Sequence, residues 1–175
     1  MYKFPIVFNN YLDSNLKNTE FYSGLFYKDI IIVEGISDKE ALKTISEYFE
    51  NTVYIFAANG KAWIPFYVKL FLKLGKNVIA ITDVDKENNR HSAALTQILD
   101  SISELKHIQH NPDMETEYDI DVEAISKLLG MSNSIRKRNR GWLKQIAAYY
   151  YFKVQGNWHK LKDKIFEQNE IYDFE

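Results

Sequence analysis

The sequence has no cysteine among its 175 residues. This absence excludes a disulfide framework, a thiolate nucleophile and a cysteine zinc site, and it fits a cytoplasmic protein. The apolar stretches are much shorter than the ~20 residues that span a bilayer, and the first residues lack the apolar core of a signal peptide. The phosphate-binding pattern G-x-x-x-x-G-K-[ST] is also missing, which excludes an ATP site of that type. We therefore expect a cytoplasmic protein without membrane contact.

The residues that are present indicate one globular domain. Apolar residues make up 46% of the chain and charged residues 26%, and the formal net charge is −2. This balance is typical of folded proteins. The charges are unevenly distributed, because acids predominate between residues 83 and 123 and bases between residues 131 and 164. Blocks of one sign predict two functional surfaces, or two solvated faces that attract each other.

Apolar runs alternate with helical patterns after residue 28. The runs predict strands at 29–34, 52–58, 77–82 and 104–110. Helical spacing predicts helices at 62–74, 91–103 and 121–129, with one or two more after residue 140. This order is typical of an α/β fold in which a mostly parallel four-stranded sheet has helices on both faces, here with added C-terminal helices. Residues 1–28 are predicted to be a lead-in segment and residues 29–175 the folded domain.

The stretch VEGISDKE (33–40) links the first predicted strand to a helix. Glu34 ends the strand, and Gly35 permits a tight turn. Ser37 and Glu40 form an S-x-x-E capping box, which predicts that the helix begins at Ser37. Asp38 then lies in the first turn of that helix, beside Glu34.

Acidic side chains follow three of the four predicted strands. The pairs are Glu34 and Asp38, Asp83 and Asp85 in "DVD", and Asp113 and Glu115 in "PDME". Ligands of α/β sheets bind at the carboxyl ends of parallel strands. Converging carboxylates favour a hard cation such as Mg²⁺ or Mn²⁺, which removes their mutual repulsion. A single loop acid is commonplace, but three pairs at strand ends predict a metal site.

Several of these motifs resemble a known family. The segment IIIVEGISDKEAL, followed by a strand, a helix and ITDVD, resembles a Toprim domain, the Rossmann-like metal-binding fold of topoisomerases, primases and some nucleases. The stretches ANGKAWIPFYVKLFLKLGKNVIAITDVD and NPDME are similar to the Toprim module of the OLD (overcoming lysogenization defect) family nucleases. The similarity covers roughly residues 19–150. It implies a Toprim catalytic domain over residues 29–175 with a helical C-terminal extension.

The resemblance implies a Mg²⁺- or Mn²⁺-dependent endonuclease that cleaves or nicks DNA with two metal ions. The Toprim glutamate and D-x-D pattern match three residues that we assign to catalysis and to the metal nearer the attacking water: Glu34, Asp83 and Asp85. We assign the remaining three acids to the second metal: Asp38, Asp113 and Glu115. The family also places a catalytic lysine beyond the last acid pair. Lys137 and Lys144 are the candidates, and Arg140 is a third.

The resemblance also implies partners. OLD-family proteins usually carry an ABC-type ATPase before this module, so we expect an ATPase on a longer or separate chain, often in phage defence. The basic stretch from 136 to 144 predicts contacts with the DNA backbone. Its members are Arg136, Lys137, Arg138, Arg140 and Lys144. We expect the aromatic run AAYYYF (147–152) to pack in the core or to form a homo-oligomer contact.

The remaining basic and imidazole groups receive no catalytic assignment. "NGK" (59–61) predicts a strand-to-helix turn that places Lys61 near bound DNA. His107 and His110 are three apart on a strand and therefore face opposite sides. None of the four histidines is assigned to a metal.

Three other functions are compatible with acids at strand ends. A response-regulator receiver would need an acidic pair at the first strand, and it gives "PDME" no role. A Toprim ribonuclease that matures RNA has a similar size and chemistry. A non-catalytic module that binds nucleic acid or an ATPase is favoured if Lys137 and Lys144 both point away from the acids.

Overall fold

The computed structural model of the chain describes residues 19–46, 53–84 and 90–166. In chain order the described elements are α1 (Thr19–Gly24), β1 (Asp29–Val33), α2 (Ile36–Lys43), β2 (Val53–Ala57), a 3-10 turn (Lys61–Trp63), α3 (Ile64–Lys73), β3 (Asn77–Asp83), α4 (Arg90–Asp100), β4 (Leu105–His110), α5 (Met114–Glu117), α6 (Val122–Leu128), α7 (Asn133–Arg138), α8 (Arg140–Tyr149), a π-helical turn (Tyr150–Val154) and α9 (Trp158–Phe166). Within these three ranges, no helix is long and apolar enough to cross a membrane.

The four described strands form one parallel sheet in the order β2-β1-β3-β4. Val33 at the end of β1 is in register with Ala57 of β2 and with Ile81 of β3. Asp83 at the end of β3 is in register with His110 of β4. The predicted α/β class and its parallel four-stranded sheet are therefore confirmed. The register also brings the carboxyl ends of all four strands to the same edge.

Both faces of the sheet are buried, which explains why β1 is apolar without alternation. Ile30 and Ile32 face one core layer, which contains Phe71 of α3. Ile31 and Val33 face the other layer, which includes residues of α2, α6, α8 and α9. Each fully buried aliphatic side chain of this kind contributes about 1.5–3 kcal/mol. The C-terminal helices are consequently part of the same core as the strands.

Part of the predicted lead-in segment also packs on the sheet. Phe21 of α1 is buried, and its ring centroid lies 5.5 Å from that of Phe71. Lys39 of α2 is almost fully buried and pairs with Glu20 at 2.8 Å. Residues at the end of the lead-in thus contact both α2 and α3.

The helix after β1 begins earlier than the capping box predicted. Gly35 is the N-cap of α2, and its backbone N–H donates to Asp38 Oδ2 at 3.1 Å. Glu40 instead pairs with Lys43 at 2.6 Å, so the predicted start at Ser37 is wrong. The reason is spacing, because Asp38 is the third helical residue after Gly35 and can reach back to the free N–H. The turn therefore fixes Asp38 directly beside Glu34.

Candidate active site

Glu34 and Asp83 meet where β1 and β3 end. The backbone N–H of Asp83 donates to Glu34 Oε1 at 3.0 Å. A small cavity beside them is lined by Glu34, Asp38 and Asp83 together with His110. The apolar floor of this cavity includes Val33 and Ile81. Three carboxylates are thus held at a partly buried sheet edge, as the positions of the acids predict.

The late acids lie at the same edge. Asp113 is the N-cap of α5, and its Oδ1 accepts from the Thr116 backbone N–H at 2.8 Å. Glu115 follows in the first turn of that short helix. We use the term "acid cluster" for the five acids that converge here, which are Glu34, Asp38, Asp83, Asp113 and Glu115. Asp85, the sixth predicted acid, lies outside the described residues.

Burial and mutual repulsion make two members of the acid cluster hard to ionise. Burial and the negative charges of its neighbours together raise the pKa of Asp83 to about 7. Those neighbours are Asp38, Glu34, Glu115 and Asp113. Burial also raises the pKa of Asp38 to about 6, although the Gly35 hydrogen bond opposes this change. Such perturbed carboxyl groups in a cavity are typical of functional sites.

Asp113 behaves differently from Asp83 because it has donors and cations around it. Burial opposes its ionisation, but hydrogen bonds from Thr116 and the charges of Lys144 and Arg140 outweigh burial and lower its pKa. The acid cluster is therefore least compensated at its Asp83 end.

Lys144 reaches the acid cluster from the C-terminal helices. Its Nζ lies 2.7 Å from Glu115 Oε2. Helix α8 is anchored by the fully buried Leu143 and Ala147 and packs against α2, which directs the neighbouring Lys144 to the cluster. Arg140 is four residues earlier on the same helical face, and its charge acts on Asp113. Of the three basic candidates, Lys144 is the one in direct contact with an acid of the cluster.

The rest of the basic stretch lies elsewhere. Lys137 and Arg138 are exposed residues of α7. Arg136 pairs with Glu123 of α6 at 3.0 Å rather than with the acid cluster. The structure thus separates Lys144 from Lys137, whereas their spacing in the sequence does not. The predicted contact of these bases with DNA stays a prediction.

A second lysine lies at the other end of the acid cluster. Lys61 Nζ is 3.5 Å from Glu34 Oε1 and donates to the backbone carbonyl of Asp83. The sequence predicts a turn here that places Lys61 near bound DNA, but it does not predict the contact between Lys61 and Glu34. The available signal was its position just after β2, because β2 is parallel to β1 and the following turn must lie at the same sheet edge.

His110 and Glu117 support the loop that carries the late acids. Glu117 Oε2 accepts from the Asn111 backbone N–H at 2.8 Å, and its Oε1 accepts from Lys164 of α9. His110 Nδ1 lies 3.4 Å from Glu117 Oε2 without an aligned hydrogen bond. Burial and the nearby Lys164 lower the pKa of His110 to about 4, so this imidazole is neutral at pH 7. His107 projects from the opposite face, as predicted, and bonds to Thr82 and Asp100.

The aromatic run divides between core and surface. Ala147, Ala148 and Phe152 are buried, whereas Tyr149 and Tyr150 are exposed.

In the described part of the chain, the acid cluster does not have the geometry of a complete metal site. Among residues 19–46, 53–84 and 90–166, no three acids or histidines are arranged to hold one ion without adjustment. The donors are nevertheless all carboxylate oxygens, the ligands that Mg²⁺ and Mn²⁺ prefer. The raised pKa values of Asp38 and Asp83 show a surplus of negative charge that a cation would neutralise. The donor set therefore fits a hard divalent cation.

One protein family matches the segment that carries Glu34, Asp38 and Asp83. Residues 25–85 match the family described as the overcoming lysogenization defect protein-like TOPRIM domain. This part of the chain is an OLD-like Toprim domain. The match includes Glu34, Asp38, Lys61, Asp83 and Asp85, and it ends before the late acids and the C-terminal helices. Searches of curated proteins and of solved structures found no significant match.

Family membership gives a coarse statement of function. Toprim domains process nucleic acids and generally bind divalent metals. In this Toprim domain, the acid cluster adds Asp113 and Glu115 from beyond the matched segment to the Toprim acids within it.

Proposed function

We propose that this Toprim domain is a nuclease that cleaves or nicks DNA by phosphodiester hydrolysis with Mg²⁺ or Mn²⁺. The observation that carries the proposal is the 2.7 Å contact between Lys144 Nζ and Glu115 Oε2. A lysine among these acids suits a hydrolytic site, because its ammonium can stabilise the negative charge that builds on the phosphate during the reaction.

The described acids have distinct roles in this proposal. Glu34 and Asp83, together with Asp85, would hold the cation nearer the attacking water. Asp38, Asp113 and Glu115 would hold a second one. A pair of divalent cations supplies an activated water and stabilises the leaving oxygen.

The chain's own residues position these groups. The Asp83 backbone N–H orients Glu34, and the Gly35 N–H orients Asp38, so both carboxylates are fixed before a cation arrives. Lys144 would donate to a non-bridging oxygen of the scissile phosphate and offset its growing charge. Arg140, one turn away on the same face, would bind a neighbouring phosphate of the strand.

The wider basic surface and the partner are part of the proposal. Lys137 and Arg138 are exposed on α7, next in the chain to α8, which carries Arg140 and Lys144. They would contact the DNA backbone and make binding dependent on salt concentration. An ABC-type ATPase, on a longer form of this chain or on a separate one, would control cleavage in a phage-defence system.

The test is a cleavage assay on supercoiled and linear DNA, with Mn²⁺, with Mg²⁺ and with EDTA. We expect products only with a divalent cation, and loss of activity in Asp83→Ala. Lys144→Met should lower the rate about 10²-fold, since it removes one group that stabilises developing charge. Lys137→Met is the matched control and should weaken DNA binding without a comparable loss in the rate at saturating DNA.

Several outcomes would contradict the proposal. Undiminished cleavage by Asp83→Ala, after purification to remove contaminating nucleases, would exclude the acid cluster as the reaction site. Hydrolysis of RNA but not of DNA under matched conditions would identify a Toprim ribonuclease. Nucleic-acid binding without hydrolysis in any of these buffers would identify a regulatory module.

A further inference from the structure

Lys61 is a buried cation that the mechanism above does not use. Its side chain is only 12% exposed, and its ammonium contacts both Glu34 Oε1 and the Asp83 carbonyl. Lysine side chains are normally solvated, so an ammonium held at the ends of β1 and β3 needs a reason. Glu34 and Asp83 are also two of the three residues that the proposed function assigns to the same cation.

The turn that carries Lys61 is built against Glu34. Asn59 has a φ of 56° and Gly60 a φ of 139°, so both residues have left-handed backbone conformations. The Gly60 backbone N–H donates to the Glu34 carbonyl at 2.9 Å, which ties the turn to the end of β1. Asparagine and glycine are the residues that accept such conformations most readily, so this pair suits the tight turn. The turn therefore fixes the Cα of Lys61 beside the acid cluster.

Lys61 and a divalent cation would compete for the same oxygen. Glu34 Oε1 accepts from the Asp83 N–H at 3.0 Å and also faces the Lys61 ammonium at 3.5 Å. A cation bound to Glu34 would repel an ammonium at that distance, because both are positive and partly buried. The long side chain of lysine can swing away without movement of the anchored turn. Once Lys61 leaves Glu34, a phosphate oxygen of the proposed substrate is an anion that its ammonium could bind.

We propose that Lys61 is the resident counter-ion of Glu34, that a divalent cation displaces it, and that the displaced ammonium then binds a phosphate oxygen of the nucleic-acid substrate. This inference rests on the proposed function for its second half only. Lys61 and Lys144 would then hold the substrate phosphate from two sides of the acid cluster, beside Glu34 and beside Glu115 respectively.

The displacement of Lys61 by a divalent cation is tested by calorimetry, in which Mn²⁺ alone is titrated into the wild-type protein and three variants. Lys61→Met should bind Mn²⁺ about tenfold more tightly than the wild type, because the competing charge is gone. Lys61→Arg keeps the charge and should bind Mn²⁺ with wild-type affinity. Lys73→Met removes an exposed lysine of α3 and controls for the change in net charge. If Lys61 only stabilised the fold, its removal would leave Mn²⁺ binding unchanged or weaken it. Either result in Lys61→Met would therefore overturn the displacement.

The contact between the displaced Lys61 and a substrate phosphate is tested by cleavage of supercoiled DNA at saturating Mn²⁺. Lys61→Met should cleave about tenfold more slowly than the wild type despite its tighter hold on Mn²⁺, and Lys61→Arg should retain most of the rate. Tighter Mn²⁺ binding with an unchanged rate would overturn the phosphate contact. An inactive wild-type protein would refute the proposed function and the phosphate contact together, whereas the Mn²⁺ titration would still decide the displacement.

Discussion

Strands β3 and β4 end in polar side chains on both faces of the sheet, and the two faces differ in how these groups are paired. On one face Thr82 Oγ1 lies 2.9 Å from His107 Nε2, and His107 Nδ1 lies 2.6 Å from Asp100 Oδ1. In this Thr82–His107–Asp100 chain, both ring nitrogens of His107 and the buried hydroxyl of Thr82 have hydrogen-bond partners. Nearby, Gln109 Nε2 donates to Thr96 Oγ1 at 3.2 Å.

The acid cluster occupies the other face, one residue further along β3. Here carboxylates face each other, and the pKa of Asp83 rises to about 7 through burial and the surrounding negative charges. The ion pairs with Lys61 and Lys144 compensate Glu34 and Glu115 but leave Asp83 under-compensated. One face is therefore complete as a hydrogen-bonded structure, whereas the other carries a charge imbalance that a bound cation would relieve. The difference favours a structural role for the first polar group and supports the proposed catalytic role of the acid cluster.

The largest expected effect is a difference in the rate of DNA cleavage between two variants, each of which removes a carboxylate from one face of the sheet. Glu115→Gln should slow DNA cleavage by about 10²- to 10³-fold, because it removes a proposed cation ligand and releases Lys144. Asp100→Asn removes a carboxylate from the opposite face and should leave the rate within about threefold of the wild type. Initial rates on supercoiled DNA with Mn²⁺ give both values. Similar losses in the two variants would show that the faces do not differ in function.

The sheet could be predicted from the sequence because its signals are local and strong. Continuous apolar runs such as Ile30–Val33 specify strands buried on both faces, and acids that follow parallel strands must meet at one edge. The start of α2 could not be predicted, because S-x-x-E at Ser37 and G-x-x-D at Gly35 both resemble caps. The choice depends on the turn that β1 imposes.

The basic residues of the site required the three-dimensional structure. Lys137 and Lys144 are both in helices, and only the burial of Leu143 and Ala147 against the core settles which of them faces the acids. The position of Lys61 beside the acid cluster depends on strand order. It reaches Glu34 because β2 is the neighbour of β1, and local sequence patterns do not encode that adjacency.

A smaller effect concerns stability, and the two faces should respond with opposite signs. Asp83→Asn should stabilise the metal-free protein by about 1–2 kcal/mol at pH 8, after allowance for the screening of a half-buried group. Thr82→Val should destabilise it by about 1–3 kcal/mol, since His107 loses a buried partner. Urea denaturation in EDTA measures both changes. Destabilisation by Asp83→Asn would mean that the acid cluster is already balanced without a cation.

The smallest effect is the pH dependence that Asp38 contributes. Its pKa is raised to about 6 in the folded protein, so between about pH 4 and pH 6 the folded state binds more protons than the unfolded state. Stability from this group must therefore fall as the pH rises through that window. The difference in unfolding free energy between Asp38→Asn and the wild type should grow from near zero at pH 4 to about 0.5–1 kcal/mol at pH 7.

The measurement is a series of urea titrations in EDTA from pH 4 to pH 7, with Thr96→Val as the matched variant. Thr96 bonds to the uncharged amide of Gln109, so the difference between Thr96→Val and the wild type should change little across the window. Saturating Mn²⁺ at pH 7 should remove the stability gain of Asp38→Asn, because a bound cation favours the ionised carboxylate in the wild type. A difference that stays constant from pH 4 to pH 7 would show that Asp38 ionises normally, and the contrast between the two faces would then rest on Asp83 alone.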